Sequence, residues 1–248
     1  RYVAFQSSAT NLMNRDTNGN YDVFLHDRET GKTTRVSVRT NGVQGDEGSY
    51  YPSISSDGRY VAFESDATNL VNGDTNGASD IFVHDRQTGE TSRVSVRTNG
   101  VQGDGISWYP SISSDGRYVA FESHAPNLVN GDTNGASDIF VHDRQTGETT
   151  RVSVRTNGVQ GDGSSRYPSI SLDGRHVAFY SYATNLVNGD TNGACDIFVH
   201  DRQTGKTRRV SVRTNGVQGD ENSYAPSISS DGRYVAFESH ATNLVNGD

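Results

Sequence analysis

The fifteen residues YPSISSDGRYVAFES, Tyr51 to Ser65, decide how this chain is read. Tyr51–Ser55 alternates bulky and small polar side chains and runs into Asp57-Gly58, a strong signal for a tight turn between two strands. Arg59–Ser65 then brings Tyr, Val and Phe, which suit a pleated, half-buried surface. The stretch reads as a β-hairpin, and it recurs. RYVAF begins at Arg1, Arg59, Arg117 and Arg233, and its variant RHVAF begins at Arg175, always 58 residues apart. The 248 residues hold four full periods and the opening of a fifth. A fixed period of this length signals a propeller, a solenoid or an array.

Two more strands complete each period. DIFVHD (Asp80–Asp85) breaks at QTG (Gln87–Gly89), and TSRVSVRT (Thr91–Thr98) alternates Val with polar residues before Asn99-Gly100. No helical period appears. Four short antiparallel strands per repeat make a propeller blade. The expected fold is therefore an all-β propeller of about four blades, one domain over 1–248. Its repeats are 1–58, 59–116, 117–174 and 175–232, with a partial fifth at 233–248.

YPSISSDGRYVAFES followed by DIFVHDRQTGETSRVSV resembles the repeat of the TolB-type β-propellers, and the resemblance covers all four periods. It implies a blade fold and no single activity, because propellers serve many functions. The chain departs from that pattern between the second and third strands, where its loop is longer and far richer in Asp, Asn and Gly. The second strand occurs five times and the others four. The C-terminal pair (Tyr224–Ser229 and Arg233–Ser239) could join the N-terminal third and fourth strands to close a four-bladed ring. The alternatives are a piece of a longer array, or a subunit whose open strand edges pair with neighbouring chains.

Only 31% of the residues are hydrophobic, but they fall in tight alternating clusters, so the chain is expected to be ordered. The 12 Tyr and 9 Phe supply large buried surfaces from few positions. A formal charge of -8 and the lack of a basic run argue against a nucleic-acid partner. Cys195 is the single cysteine and cannot form an internal disulfide. No apolar run approaches a membrane span, and no signal-peptide pattern stands at Arg1. A start inside a strand, without Met, is expected of a trimmed chain.

In an up-and-down blade, the loops between strands one and two and between three and four share one face. These are short turns. The long loops, DATNLVNGDTNGAS (Asp66–Ser79) and NGVQGDGISW (Asn99–Trp108), crowd the opposite face, where binding residues are expected. Numbered from Asn72, oxygen side chains fall at positions 1 (Asn72), 3 (Asp74), 5 (Asn76) and 9 (Asp80). Gly77 stands at 6 and the carbonyl of Ala78 at 7, which is the spacing of an EF-hand calcium loop. Val83 replaces the bidentate Glu at position 12, so the loop is more similar to the nine-residue calcium loops of integrin-type (FG-GAP) propellers.

The equivalent sets are Asn14, Asp16, Asn18, Asn20 and Asp22; Asn130, Asp132, Asn134, Ala136 and Asp138; and Asn188, Asp190, Asn192, Ala194 and Asp196. A half-site, Asn246 and Asp248, ends the chain. The competing reading is turn chemistry alone, since Asp, Asn and Gly also build Asx-turns. Two carboxylates per site predict weak Ca²⁺ binding, in the range of about 10⁻⁴–10⁻³ M typical of extracellular modules. A secreted or cell-surface bacterial setting follows as an expectation.

The HD pairs (His26-Asp27, His84-Asp85, His142-Asp143 and His200-Asp201) place adjacent residues on opposite faces of a strand, so they read as blade-stabilising contacts. His124, His176 and His240 have no ligand spacing, and no nucleophile-elbow, zincin or phosphate-loop pattern occurs. A catalytic centre needs different residues converging on one point, whereas each blade here offers nearly the same set, so no enzyme activity is expected. The most variable tract ends at Tyr50, Trp108, Arg166 and Tyr224, the candidate contacts for a ligand. The expected function is an extracellular, calcium-stabilised structural, adhesion or assembly module, self-associating through open strand edges. The alternative is a glycan- or protein-recognition propeller appended to a larger secreted protein or enzyme, binding through the long-loop face.

Overall fold

The computed structural model describes residues 1–13, 16–245 and 247. Asn14, Arg15, Asn246 and Asp248 lie outside the described residues, and with them one predicted ligand and the half-site. Every helix or strand described is a strand. Three complete blades follow one another, each a four-stranded antiparallel sheet in chain order. They are β4 (Ser49–Ile54), β5 (Tyr60–Ser65), β6 (Asp80–Asp85) and β7 (Glu90–Arg93); β8 (Ser107–Ile112), β9 (Tyr118–Ser123), β10 (Asp138–Asp143) and β11 (Glu148–Arg151); and β12 (Ser165–Ile170), β13 (His176–Ser181), β14 (Asp196–Asp201) and β15 (Lys206–Arg209). Before them stands a three-stranded sheet of β1 (Tyr2–Ser7), β2 (Asp22–Asp27) and β3 (Lys32–Arg35). After them comes the pair β16 (Ser223–Ile228) and β17 (Val235–Ser239).

Two expectations are corrected. The fourth strand is shorter than Thr91–Thr98, because the ladder ends at Arg93. There the Ser95 hydroxyl accepts from the Ile81 amide (3.1 Å) and donates to Asp80 (2.5 Å), so a side chain takes over from the backbone. The C-terminal pair also does not close a ring: among the described residues, β16 and β17 form their own sheet, apart from β1–β3. The register explains why. β1 lies on β2 from Tyr2↔Asp27 to Ser7↔Asp22, as β5 lies on β6, so the place β17 would need is filled by its own equivalent.

The core lies between blades. In β6, Ile81 and Val83 point forward onto Phe121 and Phe140 of the next blade, while Phe82 points back onto Val23 and Leu25. This is strand alternation with both faces buried. The inner strands touch in succession, and the turns after them are linked around the axis by backbone bonds. Ser56 donates to Ser114 (3.0 Å), Ser114 to Leu172 (2.9 Å) and Leu172 to Ser230 (3.1 Å).

Arginines hold each blade and its neighbour. Arg117 forks onto Asp143 at 2.9 and 2.7 Å, joining the start of β9 to the end of β10. That guanidinium holds the Asp143 carboxyl down at about 2. Arg144 donates to the Gly116 carbonyl (2.7 Å) and lies 4.4 Å from the ring of Tyr60 in the preceding blade. Gly116 is required there. Its φ is +71°, and a Cβ would fall 2.1 Å from Tyr60 Cδ2. Gly116→Ala is expected to cost about 2 kcal/mol, read as a lower urea midpoint with unchanged slope.

Candidate functional site

The long-loop face is assembled as the topology demands. Loops after the second strand meet loops after the fourth, and Gln102 is the hinge of that contact. Its Nε2 donates to Asp74 (2.8 Å) and Asp80 (2.9 Å), while its carbonyl accepts from Asn127 of the next blade (2.9 Å). Gln160 repeats the arrangement with Asp132, Asp138 and Asn185.

The structure brings the two predicted carboxylates of each loop together, but around a guanidinium. Arg93 Nη1 lies 3.3 Å from Asp74 and 3.1 Å from Asp80, and Nη2 donates to the Gly73 carbonyl (3.2 Å). Arg151 stands 3.5 and 3.4 Å from Asp132 and Asp138, and Arg209 3.1 and 2.9 Å from Asp190 and Asp196. Arg35 serves Asp16 and Asp22 more loosely, at 3.9 and 3.4 Å.

The other predicted ligands are also engaged. Asn76 Oδ1 accepts from the Ala78 amide (3.0 Å), and its amide group donates to Gly103 (2.9 Å). Asn134 and Asn192 repeat both contacts, with Ala136 and Gly161 and with Ala194 and Gly219. Asn18 caps the Asn20 amide, and Asn20 in turn donates to Glu47 (3.1 Å). Asn72, Asn130 and Asn188 accept from Arg39, Arg97 and Arg155 of the blade before.

As folded, this donor set does not fit calcium without displacement of the arginine. Among the described residues, no three Asp, Glu, His or Cys side chains gather as a metal would need. Burial dominates the acids, pushing the Asp22, Asp80 and Asp138 carboxyls up and that of Asp190 to about 6.

A second feature stands on the axis. Tyr51, Tyr109, Tyr167 and Ala225 occupy one position of the inner strands, with φ between 47° and 52°, each inside a β-bulge. Such backbone conformations in non-glycine residues are costly and cluster at functional sites. The three tyrosine bulges are each held from the blade before. Tyr51 donates its amide to Gln6 (2.7 Å), Tyr109 to Glu64 (3.3 Å) and Tyr167 to Glu122 (3.3 Å). Burial pushes the Glu64 carboxyl up to about 7 and raises that of Glu122.

The rings form a row. Tyr51 meets Tyr109 edge-on at 4.8 Å, and Tyr109 stacks on Tyr167 at 4.0 Å. With Pro52, Pro110, Pro168 and Pro226 they line an open groove of about 320 Å³. Tyr51 remains 48% exposed and Tyr167 40%.

The sequence-derived ligand candidates lie one residue earlier on the same strands. Tyr50 packs near Tyr21, Trp108 meets His124 edge-on, Arg166 reaches Glu122 (3.8 Å) and Tyr224 packs on Tyr180. The tyrosine row itself is missing from the sequence reading. Its signal is available: four of the chain's five prolines fall at one repeat position inside a strand, where proline marks a bulge or an edge. The histidines of the HD pairs each bond a threonine of the fourth strand at 2.9 Å. Burial lowers those of His142 and His200 to about 4, which leaves them neutral. Cys195 is buried, donates to the Ser223 carbonyl (2.9 Å), and its thiol is raised to about 11 by burial.

No family model matches the chain. It is 33% identical over 141 residues to a probable dipeptidyl-peptidase 5 of Arthroderma benhamiae and 32% identical over 140 residues to a dipeptidyl-peptidase 5 of Trichophyton schoenleinii. Each match takes in 54% of this chain and 18% of the relative, so the chain spans about a fifth of the length of these curated relatives. Among solved structures, a putative TolB from Agrobacterium tumefaciens superposes with a TM-score of 0.57 over 96% of this chain and 70% of its own, at 17% identity. TolB from Acinetobacter baumannii gives 0.52 over 90% and 44%, at 19% identity. Blade topology and these superpositions together assign the chain the fold of the TolB-like β-propellers.

Proposed function

We propose that this chain is a recognition propeller within a larger protein, and that it holds an extended polypeptide along its axial tyrosine row without performing chemistry itself. The row of Tyr51, Tyr109 and Tyr167 with its prolines carries this reading. Aromatic and proline rings side by side present the flat, rigid surface that extended, proline-containing segments dock against. Tyrosine supplies contact area at low conformational cost and keeps a hydroxyl for the partner's backbone. Its placement on strained strands tied down by Gln6, Glu64 and Glu122 is the preorganisation that a binding site needs. The near-identity of the blades and the histidines of the HD pairs, each bonded to a threonine of the neighbouring strand, support a non-catalytic role.

A second reading, a secreted structural or assembly module, is favoured by the blade-to-blade contacts, which repeat so closely that a blade of another copy can dock on an open end in the same way.

Tyr109→Ala tests the first reading on an array of extended, proline-containing peptides. Ala225 already holds the same backbone conformation, so the variant is expected to fold. Loss of more than about tenfold in peptide affinity is the expected result. Binding to a glycan array with no peptide bound would point to the long-loop face instead. Neither peptide nor glycan bound, with large particles in solution, would favour the assembly module.

A further inference from the structure

We propose that Arg35, Arg93, Arg151 and Arg209 are the resident cations of the four acidic loops: each guanidinium takes the position that the loop's oxygen spacing assigns to a calcium ion. The juxtaposition of one fourth-strand arginine with both loop carboxylates and a loop carbonyl carries the inference.

The chemistry of the site is that of a cation loop. In the second blade, two carboxylates and the Gly73 carbonyl converge, and the object they converge on is Arg93. The charges are out of water: the Arg93 side chain is 10% exposed, Asp74 4% and Asp80 0%. A buried charge of either sign without its partner is strongly destabilising, so each loop needs a cation in order to fold. The guanidinium supplies it from within the chain, at no dependence on ion concentration.

The donor side agrees. Nε of Arg35, Arg93, Arg151 and Arg209 is buried without a hydrogen-bond partner in all four loops. A guanidinium placed for hydrogen bonding alone would present its full fork. In Arg93, Arg151 and Arg209 Nη1 faces both acids and Nε is left over, and in Arg35 Nε stands 3.4 Å from Asp22 without a hydrogen bond, which fits a group held for its charge at the centre of the loop. The leftover charge is handled by neutral donors. Gln102 Nε2 and Asn76 Nδ2 (3.3 Å) reach Asp80 Oδ2, and Ser95 reaches Oδ1. Two carboxylates against one guanidinium leave a single negative charge per loop, spread over these bonds. A calcium ion would have to expel the arginine from a closed pocket and leave its charge unpaired.

The unmodified chain tests this directly, by thermal unfolding in about 1 mM calcium and in EDTA, beside equilibrium dialysis with ⁴⁵Ca. The inference expects a Tm difference below about 1 °C and no stoichiometric uptake. Up to four calcium ions bound per chain, with Tm raised by more than about 5 °C, would overturn it. Arg151→Gln removes one resident cation and should convert its loop: Tm falls in EDTA, calcium restores it, and dialysis finds one new ion per chain. A folded Arg151→Gln chain with Tm unchanged in EDTA, or one that is destabilised and not rescued by calcium, would also overturn the proposal. Where that variant does not fold, Arg151→Lys decides, since its ammonium keeps the charge. It should fold and stay indifferent to calcium, and a calcium-dependent lysine variant counts against the inference.

Discussion

Asp138→Ala is expected to destabilise the chain by about 3–5 kcal/mol, the cost of opening a buried, hydrogen-bonded charge cluster from one side. Asp138 is fully buried and is the meeting point of four groups. Ser153 donates to Oδ1 at 2.5 Å, while Gln160 (2.9 Å), Asn134 (3.2 Å) and Arg151 (3.4 Å) reach Oδ2. Truncation leaves the Ser153 hydroxyl without an acceptor and removes one acceptor from each of the others: Gln160 keeps Asp132, Asn134 keeps the Gly161 carbonyl, and Arg151 keeps Asp132 and the Gly131 carbonyl. Asp138→Asn separates charge from shape. Burial already pushes this carboxyl up, so much of its contribution is as an acceptor. Asn retains one acceptor for Ser153, and a loss of about 1–2 kcal/mol is expected. Urea titrations of both variants check the ratio, and equal losses would contradict it.

Glu64→Gln is expected to stabilise the chain above neutrality and to flatten its pH profile. Burial holds the Glu64 carboxyl at about 7 in the folded chain, against an ordinary value of 4.5. The sign follows from proton uptake. Between these two values the folded state binds the proton that the unfolded state has released, so stability from this group falls as pH rises from about 4.5 through 7. Above pH 7 the full penalty applies, about 3 kcal/mol for such a separation.

Glutamine carries no such penalty and keeps the acceptor for Tyr109. Gln6 shows that the position accepts it, taking the Tyr51 amide at 2.7 Å. Asp85 and Asp143 act in the opposite direction. Their arginine partners hold them at about 2, so their contribution is complete above the unfolded value near 4 and is lost as pH falls through about 2. Melting curves from pH 3 to 9 should show wild-type stability declining from about 4.5 to 7 and a shallower decline in Glu64→Gln, where the Asp190 carboxyl, raised to about 6, and the raised Glu122 carboxyl still titrate. A parallel decline in the variant would assign the titration to another group.

The fold was legible in large part because each blade is local. Hairpins such as Tyr51–Ser65 are written in alternation and in the Asp57-Gly58 turn, and β6 falls on Asp80–Asp85 as expected. The end of the fourth strand was not legible, since it depends on Ser95 competing for Ile81 and Asp80, a contact across the sheet. The site was legible in half. Oxygen residues on odd positions announce a loop that gathers charge. Nothing local says what neutralises it: Arg93 lies 13 residues beyond Asp80, and Gln102 lies 28 beyond Asp74.

By itself, then, the sequence determined the period, the strands, the tight turns and the acidic loops, because these rest on contacts within a few residues and on the alternation of a pleated strand. Tertiary structure decided three things that depend on residues far apart in the chain. It set Arg93 between two carboxylates. It tied the strained Tyr109 to Glu64, 45 residues away, and so built the axial row. It left β17 without the edge that β1 already fills. The common physical reason is that a repeat fixes what each blade contains, while only packing one blade on the next decides which buried charge, ring or strand edge finds a partner.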